Sequence, residues 1–477
     1  MAQSLLLSLC LAWAGRAQAQ DLAAAAEAIF SAAPFSRAAV SVLFVSLDDG
    51  ATAYARQPDA AMIPASTAKL AVSGAVLEYL KPDFRYRTTF LARKDDPGRG
   101  QLSVLVWRGT GDPTLSGRNH SSPYEVFGIW GGSLAALGVS KVKRLVLDER
   151  YFEGPVTIPS WPEEELSYWY EAQISAIAFN DDCVDLTFVP GRQPGQRPGI
   201  ILKPDFGYMK VKNRAVTGAP GSAFTLDYRR APGANKVEFF GSIPAGGGER
   251  SDHVSVHQPA RFAAHTLQSI WKAQGLKVSK LQDWDDAGLR EEELAPLLVW
   301  ESEPLSAILS VVNKNSQNLY AEQLLKTLGR EVEGRGSSEA GLSVVSRFLR
   351  AAGLADSEFH LADGSGMSGA DRMSAAGLVK ILRYMHASPW ASVYYDSLGI
   401  PGVDRAVRKR MNGDPAAAGM RLKTGTVSLG RNLAGYLRSR SGRLYAFAVL
   451  INGEKLDRGA VDAATDKLCL AAVHRLP

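Results

Sequence analysis

The chain has 477 residues, 46% of them hydrophobic and 22% charged, a composition that is ordinary for a soluble globular protein. A chain of this length is too long to fold around a single compact core, so two or three domains are expected. The net charge of +5 includes no long charged block and gives no support for a nucleic-acid partner.

The first residues have the pattern of an export signal. Leu5 to Ala14 form a short apolar stretch, and Ala17-Gln18-Ala19 has the small-x-small pattern of a cleavage site. We therefore predict a signal peptide over residues 1–19 and a periplasmic protein. No later segment has ~18 consecutive apolar residues, so no transmembrane anchor is predicted.

The remaining cysteines, Cys183 and Cys469, either form a disulfide or stay as two buried free thiols.

After the leader, the pattern alternates between helix and strand. It predicts a helix over residues 21–33, a strand over residues 39–47 and a hairpin into a second strand around residues 51–55. A long helical pattern then runs through Tyr79. Pro64 and Ser66 stand where this helix begins.

Between about residues 84 and 257, the pattern changes to short alternating segments that are typical of strands. The predicted strands cover residues 101–107, 141–147, 184–189 and 223–228. The later chain has helical patterns at 259–274, at 304–329 and from about 460, with strands at 432–438 and 445–452. This order predicts one α/β domain that is interrupted by β-rich inserted domains.

The first chemical motif is Ser66-x-x-Lys69 at the start of the long helix. Residues three apart lie on one face of a helix, so the Lys69 amine can reach the Ser66 hydroxyl. Serine becomes a nucleophile when a neighbouring base takes its proton, and a lysine with a lowered pKa can serve as that base. The same pattern in isolation also fits a capping serine before a surface lysine.

Two further motifs follow in the chain. Ser316-Gln317-Asn318 places a hydroxyl and an amide two residues apart in a polar loop between helical segments. Lys423-Thr424-Gly425-Thr426 combines a glycine that allows close backbone approach with a charge and two hydroxyls suited to a terminal carboxylate. Alone, the first is a plain polar loop and the second a turn before a strand.

In this order, the three motifs resemble those of the penicillin-recognising serine enzymes. The resemblance is closest to the D-Ala-D-Ala carboxypeptidase/endopeptidase family of class C low-molecular-mass penicillin-binding proteins. Ser66 and Ser316 lie 250 residues apart, an interval that matches the large insertion of this family, whereas soluble β-lactamases keep it short. Segments 111–115, 180–185 and 363–368 also resemble the family.

The resemblance implies a mixed α/β fold in which a penicillin-binding, β-lactamase-like transpeptidase domain is interrupted by two nested β-rich domains. It assigns residues 20–86 and 296–477 to the transpeptidase-like domain. Residues 87–160 and 244–295 would form the first insert domain, and residues 161–243 the nested one.

The resemblance also implies a serine-type D-Ala-D-Ala carboxypeptidase, with D,D-endopeptidase activity, that acts on peptidoglycan stem peptides and is acylated by β-lactams. Its expected catalytic residues are Ser66, Lys69, Ser316, Asn318 and Lys423. Thr424, Gly425 and Thr426 would bind substrate, and backbone N–H groups of Ser66 and Thr426 would form the oxyanion hole. A β-lactamase and a non-catalytic peptidoglycan-binding sensor remain alternatives.

The resemblance also has an implication for recognition of the third residue of the stem peptide. Relatives that bind a diaminopimelate side chain carry an Arg where this chain has Gly369, and an Asp where it has Glu165. We expect Glu165, Tyr170 and Arg372 to contribute to this binding, with weaker selectivity for diaminopimelate over lysine.

No metal site or cofactor is predicted. His253, His257 and His265 are close in sequence, but no HExxH or CxxC motif accompanies them, and ordinary structural histidines explain them.

Overall fold

The computed structural model describes residues 22–31, 35–96 and 100–477, which form two compact units. The first unit contains the described residues up to Phe84, together with Pro304–Gly334 and Ser338–Pro477. The second contains Arg85–Glu303 and Arg335–Ser337. The predicted leader lies outside the described residues, and the nesting of two domains inside the insert stays a prediction.

The described residues contain ten α-helices and twenty β-strands. The helices are α1 (22–30), α2 (Lys69–Tyr79), α3 (Glu125–Ala136), α4 (Pro259–Ala273), α5 (Leu305–Lys314), α6 (Asn318–Glu333), α7 (Ser338–Ala351), α8 (Ala375–Ala387), α9 (Ala391–Ser397) and α10 (Arg458–Arg475). The strands are β1 (Ala39–Ser46), β2 (Thr52–Arg56), β3 (Arg87–Arg93), β4 (Gln101–Arg108), β5 (Lys141–Asp148), β6 (Cys183–Val189), β7 (Gly199–Lys203), β8 (Lys210–Asn213), β9 (Val216–Gly218), β10 (Asp227–Arg230), β11 (Lys236–Phe240), β12 (Ser242–Pro244), β13 (Arg250–Ser255), β14 (Lys277–Asp283), β15 (Leu294–Glu301), β16 (Phe359–His360), β17 (Arg372–Met373), β18 (Arg421–Val427), β19 (Gly430–Arg438) and β20 (Leu444–Asn452).

An antiparallel five-stranded sheet organises the first unit, in the order β18-β19-β20-β1-β2. Its central strands β1 and β20 are buried along nearly their whole length, because almost every residue in them is apolar and both faces of the sheet are covered. Apolar side chains of α1 and α10 share one core with the sheet, and α8 packs against β1 and β20. The predicted strands here are confirmed within two residues at each end.

Helix α2 lies inside the first unit, with nine consecutive residues, Lys69 to Leu77, buried. It packs against α5, α6, α7 and α8. Gly74 of α2 allows one of these contacts, since a Cβ there would lie 2.3 Å from the Phe348 ring. A helix that is buried all round places its first residues at a fixed position in the core.

A mixed five-stranded sheet, β14-β5-β4-β3-β15, forms the centre of the second unit. Its main core is built around large aromatic side chains, those of Phe90, Trp107, Trp130 and Trp271. Smaller sheets, β13-β6-β7, β10-β11-β8 and β12-β9, complete the unit. The predicted β-rich character of this region is therefore confirmed.

Two predicted elements were wrong in detail. The strand expected over residues 223–228 starts only at Asp227. The helix expected over residues 304–329 is two helices, α5 and α6, because Ser316 takes a left-handed conformation with φ of 57° that no helix interior accepts.

Cys183 and Cys469 are both buried free thiols. Cys183 is buried in β6 and Cys469 in the core shared by α10 and the first sheet, so both behave as small apolar side chains. Within the described part of the chain, no helix combines the length and the apolar character needed to cross a membrane.

Candidate active site

Ser66 lies in a 3₁₀ turn, Ala65–Ala68, that leads directly into α2. The turn is held by Thr67, whose hydroxyl donates to the Pro64 carbonyl at 2.6 Å. Ala65 enters it in a left-handed conformation, with φ of 48°. Ser66 is 8% exposed, so its hydroxyl is nearly enclosed by protein. The predicted position of Ser66 at the start of a helical segment is confirmed.

Lys69 is fully buried and donates three hydrogen bonds. Its Nζ lies 2.9 Å from Ser66 Oγ, 2.7 Å from Asn318 Oδ1 and 2.6 Å from the Ser365 carbonyl oxygen. An ammonium has three donors and no acceptor, so these three contacts satisfy the charged form completely.

Burial lowers the pKa of Lys69 to about 7, against the opposing effect of nearby Asp363, Glu322 and Asp371. The amine therefore changes its charge near neutral pH. A neutral amine has two N–H groups and one lone pair. With Asn318 and Ser365 still accepting, the lone pair faces Ser66, and the hydrogen bond between the two side chains reverses, so that Ser66 donates. This geometry suits a base that takes the serine proton.

Ser316 and Lys423 form a second hydrogen-bonded pair. Lys423 Nζ donates to Ser316 Oγ at 2.8 Å and to the Thr424 carbonyl at 2.9 Å. Burial, together with the charge of Lys69, holds the pKa of Lys423 well below its ordinary value. The left-handed backbone of Ser316 is a strained conformation for a serine, of the kind that clusters at functional sites.

Strand β18 carries Lys423, Thr424, Gly425 and Thr426, and lies at one edge of the sheet. A Cβ at Gly425 would lie 2.6 Å from the Pro64 carbonyl and 3.1 Å from the Thr67 nitrogen. Glycine is therefore what allows the backbone of β18 to approach the Ser66 turn. The alternative interpretation of the motif was a turn before a strand, and the motif lies within the strand itself.

Three buried carboxyl groups, which we call the acid cluster, lie beside Lys69: Glu322, Asp363 and Asp371. Each holds backbone N–H groups of the loop 362–368. Glu322 accepts from Gly364 and Ser365, Asp363 from Gly366, Met367 and Ser368, and Asp371 from Ala362.

The acid cluster is crowded enough to retain protons. Burial and the neighbouring charge of Asp363 raise the pKa of Glu322 and of Asp371. No N–H or hydroxyl group of the described residues donates to Asp371 Oδ2, and its neighbour is the carboxyl group of Asp363. Two carboxyl groups can lie next to each other in the protein interior when they share one proton.

The loop held by the acid cluster fixes both Lys69 and the Ser66 turn. The carbonyl of Ser365 accepts from Lys69, as described above. Gly366, with φ of 80°, lies so close to the turn that a Cβ there would be 2.0 Å from the Ala65 carbonyl. The loop and strand β18 thus both lie against the turn that carries the serine.

The sequence analysis did not identify Glu322. A signal was present, since Glu322 is four residues after Asn318 on α6 and therefore on the same helix face. A buried carboxylate one turn from a predicted active-site amide is a recognisable pattern.

The structure brings together Ser66, Lys69, Asn318 and the pair Ser316–Lys423, with strand β18 against the Ser66 turn. The residues expected to bind the third position of the stem peptide belong to two different units. Glu165 and Tyr170 belong to the second unit, where the Glu165 side chain is hydrogen-bonded to Tyr170. Arg372 belongs to the first unit, is exposed, and donates to the carbonyls of Gly369 and Asp371.

Three comparisons with known proteins cover almost the whole chain. Residues 22–472 match the model of the D-Ala-D-Ala carboxypeptidase 3 (S13) family. A D-alanyl-D-alanine carboxypeptidase of Actinomadura sp. (strain R39) is 31% identical over 98% of this chain and 88% of its own length. The crystal structure of penicillin binding protein 4 from Haemophilus influenzae superimposes with a TM-score of 0.77, at 22% identity over 90% of this chain and 94% of that one. A complex of the same protein with a β-lactam gives 0.75, at 20% identity over 93% of this chain and 97% of that one.

Proposed function

The chain belongs to the D-Ala-D-Ala carboxypeptidase 3 (S13) family, and from that premise we propose that it removes the terminal D-Ala of peptidoglycan stem peptides through an acyl-enzyme on Ser66. The observation that carries the proposal is the 2.9 Å contact between Ser66 Oγ and Lys69 Nζ, with a pKa of about 7 for that buried lysine. A lysine with this pKa is partly neutral at physiological pH and can accept a proton.

In the acylation step, Ser66 Oγ bonds to the carbonyl carbon of the penultimate D-Ala while Lys69 takes the hydroxyl proton. The carbonyl oxygen becomes an oxyanion, for which the backbone N–H groups of Ser66 and Thr426 are the proposed donors. Removal of one such donor typically costs about 3–4 kcal/mol of transition-state stabilisation. Gly425 supports this arrangement, because it lets the strand of Thr426 approach the Ser66 turn.

When the tetrahedral intermediate collapses, the C–N bond breaks and the departing D-Ala nitrogen takes up a proton. We assign that transfer to Ser316, whose hydroxyl is hydrogen-bonded to Lys423: Ser316 gives its proton to the nitrogen and takes in exchange the proton that Lys69 holds, which leaves Lys69 neutral. A water molecule then attacks the ester carbonyl and gives a proton to Lys69. As the ester C–O bond breaks, Lys69 returns that proton to Ser66 Oγ, and the shortened peptide is released. The sequence of steps is balanced in protons and uses no cofactor.

The edge of β18 that faces away from β19 is the proposed docking strand for the substrate, except at Leu422, whose backbone pairs with Gly399. An extended peptide can pair with the unbonded edge of a sheet, and its register is then fixed by backbone hydrogen bonds. Thr424 and Thr426 point to the same face of β18, since side chains alternate along a strand. Their hydroxyls are suited to the terminal carboxylate of the stem peptide.

Selectivity at the third position of the stem peptide stays a separate proposal, with Glu165, Tyr170 and Arg372 as contributors. A Cβ at Gly369 would meet no atom within 4 Å, so an arginine can be introduced there without a backbone clash. We expect Gly369→Arg to raise kcat/KM for diaminopimelate peptides over lysine peptides by roughly ten-fold, the effect of one charge-assisted contact. An unchanged ratio would remove this position from the recognition site.

The test of the proposed function has two readouts. Intact-mass analysis after incubation with penicillin should show one drug equivalent in the wild type and none in Ser66→Ala. Digestion of purified muropeptides should release D-Ala, and release of cross-linked dimers into monomers would add endopeptidase activity. Rapid loss of the penicillin adduct would favour a β-lactamase, and no adduct with no digestion would favour a non-catalytic sensor.

Export to the periplasm is part of the proposal, because peptidoglycan is the proposed substrate. A mature protein that begins near Gln20 is expected. N-terminal sequencing of exported protein checks this, and retention of residues 1–19 would contradict cleavage.

A further inference from the structure

A cavity of about 280 Å³ opens beside β18 and is lined by both threonines of the Lys423–Thr426 motif. The charged side chains that line the cavity are five cations and a single carboxylate: Arg405, Arg408, Lys409, Arg410, Arg431 and Asp462. We call this the cationic cavity. Such an excess of one sign around a small cavity raises the local concentration of ligands of the opposite sign.

The cations of the cavity have two different roles. Arg410 and Arg431 are structural, because both bind Asp462, and Arg410 also binds Asp466. Arg431 in addition donates to Thr426 Oγ1 at 3.1 Å. The guanidiniums therefore fix the Thr426 hydroxyl, and their charge is largely compensated.

Arg408 and Lys409 differ from that pair. Both are exposed, and among the residues that the structure describes no ion pair involves either side chain. They follow the 3₁₀ turn Arg405–Val407, which places their backbone at the cavity wall. Two uncompensated cations at the wall of a cavity next to a substrate strand are available to a ligand.

We propose that the cationic cavity binds a second carboxylate, carried by the side chain of the residue that leaves. This inference rests on the proposed function, in which the leaving D-residue lies next to Thr426. The terminal carboxylate needs only the threonine hydroxyls, and Arg408 and Lys409 lie in the same cavity beyond them. A volume of about 280 Å³ accommodates a side chain rather than a polymer segment. The enzyme would then favour peptides that end in an acidic D-amino acid.

The closing experiment uses matched peptides that differ only in the leaving residue: D-Ala-D-Ala, D-Ala-D-Glu, D-Ala-D-Gln and D-Ala-D-Lys. D-Glu and D-Gln have the same shape, so their ratio of kcat/KM isolates the charge. We expect D-Glu to exceed D-Gln by about three- to ten-fold at low ionic strength, since exposed ion pairs are individually weak. D-Lys should be the poorest substrate, and 0.5 M salt should reduce the D-Glu advantage.

Variants of the enzyme test whether Arg408 and Lys409 cause the preference for D-Glu over D-Gln. Arg408→Gln with Lys409→Gln should bring the D-Glu to D-Gln ratio to about one while leaving kcat/KM for D-Ala-D-Ala within about two-fold. Arg440→Gln, an exposed arginine outside the cavity, is the matched control and should keep the ratio. A wild-type enzyme that cleaves D-Ala-D-Ala but treats D-Glu and D-Gln alike would overturn this inference alone. Absence of cleavage of all four peptides, with no penicillin adduct on Ser66, would overturn the proposed function as well.

Discussion

Two groups of charged side chains in the first unit differ in their access to water. The acid cluster, Glu322 with Asp363 and Asp371, is buried and makes its hydrogen bonds to backbone. The cationic cavity is open, and three of its charges, those of Arg405, Arg408 and Lys409, lie on exposed side chains. Charges inside the protein interact strongly and are little affected by salt, whereas exposed charges are screened. We infer that the buried group sets protonation and backbone geometry, and that the exposed group selects the ligand.

The largest expected difference between the two regions lies in their lysines. Lys69→Met should reduce the rate of acylation by penicillin by about 10²–10⁴-fold, because the serine loses its base. Lys409→Met in the cationic cavity should change the same rate by less than about three-fold. Stopped-flow acylation with a chromogenic β-lactam measures both. A folded Lys69→Met protein that acylates like the wild type would show that another group takes the proton.

The second prediction concerns pH. Only neutral Lys69 accepts a proton, and its pKa is about 7. The acylation rate should therefore rise about ten-fold per pH unit well below pH 7, roughly 50-fold from pH 5 to pH 7 and roughly 100-fold from pH 5 to the plateau above pH 8. Because Lys69 is buried, the midpoint should stay in place between 0.05 and 0.5 M salt. A rate that is flat from pH 5 to pH 8 would contradict this assignment.

The third prediction tests how tightly the loop at the acid cluster confines the Ser66 turn. Gly366→Ala introduces a Cβ 2.0 Å from the Ala65 carbonyl at a left-handed position. It should lower the free energy of unfolding by about 2 kcal/mol or more and slow acylation. Gly369→Ala, three residues later in open space, is the matched control and should change stability by less than about 0.5 kcal/mol. Denaturant unfolding measures both variants. Equal stability would mean that the loop can shift to accommodate the added Cβ and does not confine the Ser66 turn.

The smallest expected effect is on the pH dependence of stability. Burial raises the pKa of Glu322 in the folded state. A group with a raised folded pKa stabilises the fold fully below its unfolded pKa and loses that contribution as pH rises. The contribution of Glu322 to the unfolding free energy should therefore decline as the pH rises from about 4, and Glu322→Gln should remove about 1 kcal/mol or more of that decline. Denaturant unfolding at pH 5 and pH 8 gives the comparison, and identical slopes would exclude Glu322 from it.

The sequence predicted the family and the carboxypeptidase class, because each motif is local. Ser66 and Lys69 are three residues apart, so helix geometry alone brings them together. The family, the mixed α/β fold and the carboxypeptidase class that the three motifs indicated are confirmed by the comparisons. The assignment of individual catalytic roles remains a prediction.

The parts that could not be predicted depend on distant residues. Helical periodicity continues smoothly through residues 304–329, and only the left-handed Ser316 separates α5 from α6. The acid cluster joins one residue of α6 to a loop some forty residues later, and no local pattern encodes that proximity. The need for glycine at Gly366 is likewise visible only when the Ala65 carbonyl is in place.

The order of strands in the first unit has a consequence for biosynthesis. Strand β1, at residues 39–46, pairs with β20, at residues 444–452, over its entire length. The sheet therefore stays open until nearly all of the chain has been made, while the segment Arg85–Glu303 already contains both edges of its own central sheet. Contacts between residues so far apart in sequence form slowly, because a long loop must close first. The inserted unit is thus the natural first folding nucleus, and the serine acquires its loop and its strand only in the last stage of folding.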